Sequence, residues 1–123
     1  MNIPTDDEFD TLISQAMDEL TQERIRGLDN VAVTYADQPT QEQMQRLKMR
    51  GDQLLLGLYE GIPLTKRGAG YNLVLPDKIT LFKLPICAVS RDAKSLAEQV
   101  KHTLWHEIAH YYGLDHTEIR ARE

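Results

Sequence analysis

The chain has 123 residues, of which 41% are hydrophobic and 27% are charged, and its formal net charge is -5. This length suits one domain, so we expect a single domain over residues 1–123. A negative chain has no basic excess with which to neutralise phosphates, which argues against nucleic acid and anionic membranes as partners. No apolar run reaches the ~20 residues of a membrane-spanning helix. The acidic N-terminus lacks a secretion signal, and one cysteine cannot form an internal disulfide, so a cytoplasmic location is expected.

A helix is predicted from Thr5 to about Arg26. Thr5 and Glu8 form the pattern of a capping box, and the acidic residues of the first turn suit the positive end of a helix dipole. Apolar residues recur at helical spacing along this segment: Phe9, Leu12, Ile13, Ala16, Met17 and Leu20. We expect this face to pack against the core.

Three stretches follow that are candidates for a sheet and its connections. Residues 31–36 alternate with the period of a strand, in residue types that mostly favour strands. Residues 40–50 are polar, which predicts either a short surface helix or a loop. The leucine-rich run at residues 54–58 favours a buried strand because it is short and apolar. Gly57 inside this run indicates a bulge or a close backbone approach.

A locally basic loop with two glycines is predicted at residues 64–72. Residues 79–82 form a clearer strand. Pro85 interrupts the apolar residues that come next, so residues 84–89 are expected to be an edge strand or a connector.

The last long helix is predicted to begin after Ser90 or Asp92, either of which can cap it, and to run to about Tyr112. Its apolar residues recur every four positions: Leu96, Val100, Leu104 and Ile108. We expect this stripe to be buried against the sheet.

All four histidines of the chain lie within residues 102–116, and three residues of this stretch spell H-E-x-x-H: His106, Glu107 and His110. Side chains four residues apart share one face of a helix. His106 and His110 can therefore place imidazole nitrogens on one zinc ion, at about 2.0–2.1 Å. Glu107 is rotated by about 100° from His106 on the same helix, where a general base belongs.

The pattern extends to Gly113 and His116, as H-E-x-x-H-x-x-G-x-x-H. Glycine tolerates the left-handed conformation that ends helices, so the chain can turn back at Gly113. His116 would then complete three protein ligands around an open fourth position, the arrangement of catalytic zinc. Asp115 and Glu118 compete with His116 as the third ligand. A helix whose histidines merely pack in the core or face solvent is the alternative to a metal site.

Beyond this motif, the chain resembles the family of short bacterial zincin-like metallopeptidases. Residues 54–64 and 100–115 carry the likeness, and residues 75–82 are similar to the strand that follows a proline in that family. The resemblance spans most of the chain from about Phe9. It implies an α+β, zincin-like fold with an N-terminal helix, a small mixed sheet of three to four strands, and a C-terminal helix that carries H-E-x-x-H.

The motif and the resemblance together predict a zinc-dependent metallopeptidase that hydrolyses peptide bonds in a peptide or protein substrate. His106, His110 and His116 would bind Zn2+, and Glu107 would be the catalytic residue that activates the zinc-bound water. The alternative is a non-catalytic module of the same fold, which binds a protein partner or senses a metal with weak or no zinc occupancy. The small size of the chain motivates this alternative, because it leaves little wall for a substrate cleft.

Overall fold

The computed structural model describes residues 2–23, 28, 30–62 and 77–114. In chain order, its elements are α1 (Asp6–Glu23), β1 (Val31–Ala36), α2 (Gln41–Arg46), β2 (Gly57–Glu60), β3 (Asp77–Phe82), α3 (Lys83–Ala88) and α4 (Ala93–Tyr112). The fold is α+β, as predicted, with long helices near both ends of the described chain. None of the described helices combines the length and apolar character that crossing a bilayer would require.

Within the described residues, strand β3 is the centre of a three-stranded sheet with the order β1-β3-β2. β1 runs parallel to β3, with Val33 opposite Ile79, and β2 runs antiparallel to it, with Gly57 opposite Leu81. Parallel neighbours need a crossover between them, and the chain passes through α2 and β2 before it returns as β3. The predicted small mixed sheet is therefore confirmed.

The side chains of residues 79–82 are buried on both faces of the sheet. Ile79 and Leu81 have no exposed surface, and Thr80 and Phe82 are 3% and 1% exposed. A strand covered on both faces is fixed in position by its packing, so β3 provides a rigid reference for the edge strand β2.

Helix α1 begins with the predicted capping box. The Thr5 backbone N–H donates to Glu8 Oε1 at 2.8 Å, and the Glu8 N–H donates to Thr5 Oγ1 at 3.2 Å. The helix packs against α4 through a buried face: Phe9, Ile13, Ala16 and Leu20. The predicted end near Arg26 lies outside the described residues.

Helix α4 is capped by Asp92, one of the two predicted residues, whose Oδ1 accepts from the Ser95 N–H at 2.8 Å. The helix ends at Tyr112, as predicted. The predicted apolar stripe is at most 5% exposed at each position: Leu96, Val100, Leu104 and Ile108. Because α4 packs against α1, β2 and β3, it links the helical layer to the sheet.

Of the two predictions for residues 84–89, the edge strand was wrong, because most of this stretch belongs to helix α3, which connects β3 to α4. Pro85 is the third residue of that helix. The first backbone N–H groups of a helix have no partner within it, so a proline in the first turn costs no helical hydrogen bond. The Leu84 N–H instead donates to the Asp37 carbonyl at 3.0 Å, which ties α3 to the end of β1.

The leucine-rich run is only partly a strand. β2 begins at Gly57, and Leu54, which precedes it, is 53% exposed. The Leu56 carbonyl still accepts from the Phe82 N–H at 2.9 Å, so pairing with β3 ends near Leu56. Of the two predictions for residues 40–50, the short helix is correct. The predicted loop at residues 64–72 lies outside the described residues.

Candidate metal centre

The two histidines of the H-E-x-x-H pattern lie one turn apart in the C-terminal half of α4. The Nε2 atoms of His106 and His110 are 3.1 Å apart, and the two ring planes are inclined at 56°. Two nitrogens that each lie about 2.05 Å from one tetrahedral zinc ion would be about 3.3 Å apart. The observed separation therefore fits two ligands of a single zinc ion, and the donor chemistry fits zinc as well.

Glu107 is 8% exposed, so its carboxyl group is buried beside these half-buried imidazoles. One ligand atom from each of His106, Glu107 and His110 lies within 4.8 Å of the other two. The three residues form a group that could hold a metal ion. A carboxylate so close to the histidine pair can exchange protons with a molecule bound there.

The protonation of Glu107 is set by its surroundings. Burial raises the pKa of Glu107 to about 7, and a hydrogen bond from the backbone N–H of Tyr59 opposes this rise. A carboxyl group whose pKa lies near neutrality can both accept and release a proton at neutral pH. Strand β2, which carries Tyr59, thus holds the carboxylate that α4 presents.

A glycine allows β2 to approach α4 this closely. A Cβ atom at Gly57 would lie 2.8 Å from Thr103 Cγ2 and 3.2 Å from Glu107 Cγ. At 2.8 Å, either the strand or the helix would have to move, since real Cβ atoms essentially never approach another heavy atom within 3.0 Å. The close backbone approach predicted at Gly57 is confirmed, and the neighbour is the helix that carries the candidate metal-binding group.

A cavity of about 240 Å³ opens beside this group, between α4 and the segment that leads into β2. Its described walls are Leu55, Leu56, Gly57, His102, Thr103, His106 and Glu107. His102 is exposed, as expected for a polar residue on the helix surface. The cavity therefore offers a bound molecule an apolar wall and direct contact with the buried carboxyl group.

A larger opening, of about 660 Å³, lies away from this group, beside the N-terminal segment and α1. Volume alone would favour it as a binding site. No histidine is among its described walls, and the carboxylate of Glu8, which lines it, already caps α1. Because a metal site needs several converging ligands, His106 and His110 are the better candidates for one.

Gly113 ends α4 with a φ of 83°, the left-handed conformation that was predicted. The Leu114 N–H donates to the Ala109 carbonyl at 3.0 Å, and the Gly113 N–H donates to the His110 carbonyl at 2.9 Å, a pattern that closes helices. Three candidates for the third ligand lie outside the described residues: Asp115, His116 and Glu118. The identity of that ligand stays a prediction.

Sequence reasoning missed Tyr59 and its partner Asp77. The Tyr59 hydroxyl donates to Asp77 Oδ2 at 2.5 Å, and its ring packs edge-on against Tyr111, with 6.1 Å between centroids. These contacts fix the strand whose N–H holds Glu107. The signal is weak in the sequence because the atom that matters is a backbone N–H, which every residue except proline carries. Only Gly57, two residues earlier, indicated that a neighbour lay close.

Comparisons with known proteins agree with this fold. The family model of the zincin-like metallopeptidases matches residues 28–123, which include the H-E-x-x-H pattern. A solved structure of a conserved hypothetical protein from Thermus thermophilus is similar with a TM-score of 0.57 and 21% sequence identity, over 97% of this chain and 100% of that chain. At this identity the likeness supports the fold alone. No match was found among the curated proteins. Because the family model covers well over half of its residues, the chain belongs to the family of zincin-like metallopeptidases.

Proposed function

We propose that this protein is a zinc-dependent peptidase that hydrolyses peptide bonds, with His106 and His110 as zinc ligands and Glu107 as the general base. His116 is the proposed third ligand. One observation carries the proposal: the Nε2 atoms of the two histidines are 3.1 Å apart, and the Glu107 carboxylate lies within 4.8 Å of both ligand atoms. Three groups that converge in this way match what a hydrolytic zinc site requires.

When bound, zinc would supply Lewis-acid chemistry, since it polarises a carbonyl group and makes a coordinated water more acidic. The chain itself supplies the proton transfers. A Glu107 carboxylate oxygen accepts a proton from the attacking water, and the resulting carboxylic acid passes that proton to the nitrogen of the leaving amine. The carboxylate is then ready for another cycle.

Two features of the structure support these transfers. The Tyr59 N–H holds the Glu107 carboxylate on the side of β2, which limits how far the side chain can rotate. The burial of Glu107 also shields the transferred proton from bulk water. Strand and helix together therefore position the base before a substrate binds.

The substitution Glu107→Gln tests the role of the base. We expect hydrolysis of an unfolded, alkylated polypeptide to fall by about 10²–10⁴-fold, the usual contribution of a general base. The zinc content, measured by mass spectrometry of protein purified without chelator, should not change. Glu98→Gln is the matched control, because Glu98 is exposed on the same helix and should leave turnover unchanged.

Unchanged turnover in Glu107→Gln would refute the proposed mechanism. The ligands are tested separately, since His106→Ala and His110→Ala should each lose both zinc and activity. If the wild-type protein binds no zinc and cleaves nothing, the non-catalytic module that the sequence left open would replace the peptidase.

A further inference from the structure

A third opening, which we call the neutral groove, lies next to the cavity beside Glu107. Its volume is about 510 Å³. Ligand pockets usually have volumes of about 300–1,000 Å³, so the groove is in that range. Helix α2 and the loop after it form one side, and Pro85 of α3 lines it as well. Its chemical character comes from glutamines, methionines and leucines: Gln41, Gln45, Gln53, Met44, Met49 and Leu54.

None of the described residues that line the neutral groove is charged, although 27% of the chain is charged. Two pairs of charged residues lie nearby, outside the described lining. Arg46 bonds to Glu60 at 2.8 Å, and Arg50 lies 3.4 Å from Asp52. A charged group that entered the groove would lose hydration without meeting an opposite charge on the described lining residues, which is unfavourable. The groove therefore selects against charged ligands.

The uncharged residues have properties that suit a polypeptide. A glutamine amide carries an acceptor oxygen and two N–H donors, which match the two sides of a peptide group. The Gln53 oxygen already accepts from the Arg50 N–H at 2.8 Å, so Gln41 and Gln45 are the glutamines that can offer theirs. Methionine side chains are flexible and adapt to apolar side chains of different shapes. Leu54 adds apolar surface, since it is 53% exposed. Together these residues can bind an extended segment with aliphatic or amide side chains.

The neutral groove is continuous with the cavity beside the metal centre, because Leu55 lines both. A chain that lies in the groove is therefore directed towards His106 and Glu107. This continuity distinguishes the groove from the larger opening beside α1, which shares none of its described walls with the cavity.

We propose that the neutral groove binds the part of a substrate polypeptide that flanks the cleaved bond, and that it selects unfolded segments with uncharged, aliphatic side chains there. This inference rests on the proposed peptidase function and adds the class of substrate to it. Charged flanking residues, acidic or basic, are disfavoured at these positions.

The first experiment maps cleavage of a peptide library, prepared from digested cell protein, by mass spectrometry. Wild-type protein should cleave preferentially where uncharged aliphatic residues flank the bond. Leu54→Asp should abolish this preference and lower kcat/KM on an aliphatic-flanked peptide about tenfold or more. Leu54→Ala removes apolar surface without adding charge, so it should weaken the preference and lower kcat/KM in the same direction but by less. Leu47→Asp is the matched control, because Leu47 is 43% exposed nearby but is not among the residues that line the groove.

The second experiment measures binding without hydrolysis. Glu107→Gln protein is titrated with two fluorescein-labelled peptides that differ only by leucine or aspartate in the flank, and anisotropy is recorded. We expect the leucine peptide to bind about tenfold more tightly, and Leu54→Asp to remove this difference. If the leucine peptide binds preferentially but the wild-type protein cleaves nothing, the proposed role of the groove stands and the proposed peptidase function is refuted. Cleavage without a flank preference would retain the peptidase and refute the groove.

A further outcome would also overturn the inference. If sedimentation shows a wild-type dimer that Leu54→Asp makes monomeric, while both peptides bind equally, the groove is a contact between two copies of the chain.

Discussion

Helix α4 is buried in two different ways along its length, and the contrast separates stability from chemistry. Its apolar stripe packs into the hydrophobic core, and Val100, Leu104 and Ile108 have no exposed surface. Its contact with β2, which we call the seam, instead joins Thr103 and Glu107 of the helix to Gly57 and Tyr59 of the strand. The stripe gains free energy from burial, whereas the seam buries a carboxyl group at a cost.

The difference shows how a small fold can retain an unfavourable group. The stripe and the central strand β3 determine where the helix lies, so the seam does not have to contribute to stability. Glu107 is then kept in a buried position although the burial of its carboxyl group is itself unfavourable. Four substitutions test this division of roles, starting with the one that has the largest expected effect.

The stripe should be the most sensitive region. We expect Leu104→Ala to lower the free energy of unfolding by about 3–4 kcal/mol, because it removes a buried side chain and leaves a cavity. Urea denaturation measures the effect. Leu47→Ala, at a residue that is 43% exposed, should change stability by less than about 0.5 kcal/mol. Similar losses in both variants would contradict the assignment of the core.

At the seam, a substitution should raise stability instead of lowering it, because it removes the buried carboxyl group of Glu107. The folded pKa of Glu107, about 7, lies above its ordinary value of 4.5, so its contribution is favourable at low pH and is lost as pH rises towards 7. In protein stripped of metal by a chelator, Glu107→Gln should therefore raise stability by on the order of 2–3 kcal/mol at pH 8, and by less than about 1 kcal/mol at pH 5.

Urea denaturation at both pH values checks this second prediction. Glu98→Gln, at an exposed position of the same helix, should change stability by less than about 0.5 kcal/mol at either pH. A Glu107→Gln variant that is less stable than the wild type at pH 8 would show that the carboxylate contributes to stability there.

An added methyl group should be tolerated less well at the seam than in an open turn. Gly57→Ala should cost about 1–2 kcal/mol, because the new methyl group would overlap Thr103 Cγ2. The control Gly51→Ala should be close to neutral, since nothing lies within 4 Å of a Cβ atom there. Adding Thr103→Ser to Gly57→Ala removes the overlapping methyl group and should restore most of the stability. Equal losses in the single and double variants would mean that another contact limits the approach.

The smallest effect on stability is expected from the hydrogen bond between Tyr59 and Asp77, which supports strand β2 at the seam. Tyr59→Phe removes the hydrogen bond to Asp77 and should cost about 1 kcal/mol in thermal or urea denaturation. Activity should fall while bound zinc is retained, because the strand that holds Glu107 becomes less fixed. Tyr35→Phe is the control, since Tyr35 is half-buried and packs against Phe9 at 5.9 Å. A stability loss in Tyr35→Phe as large as that in Tyr59→Phe would point to general packing instead.

Features encoded within a few residues could be predicted from the sequence. The capping box at Thr5 and Glu8, the four-residue stripe of α4 and the left-handed end at Gly113 all depend on neighbours within about one turn. The pairing of His106 with His110 belongs to the same class. The structure shows each of these features where it was expected.

Features that depend on distant parts of the chain could not be predicted in this way. The contact of Tyr59 with Asp77 joins residues 18 positions apart. The apolar character of Leu54 does not show whether it lies in a sheet or at an open groove. Pro85 indicates an interruption when only its neighbours are considered, because its effect depends on where the helix begins, which the chain before it determines.

The hydrogen bond from Tyr59 to Glu107 has a consequence for the backbone of strand β2. Among the described strands, β2 lies at one border of the sheet, and free backbone donors at such a border can pair with strands from other molecules. Here the carboxylate of α4 occupies the Tyr59 donor. One backbone donor of β2 is thereby satisfied within the chain, and a movement of α4 away from β2 would release this N–H and the proposed general base at the same time.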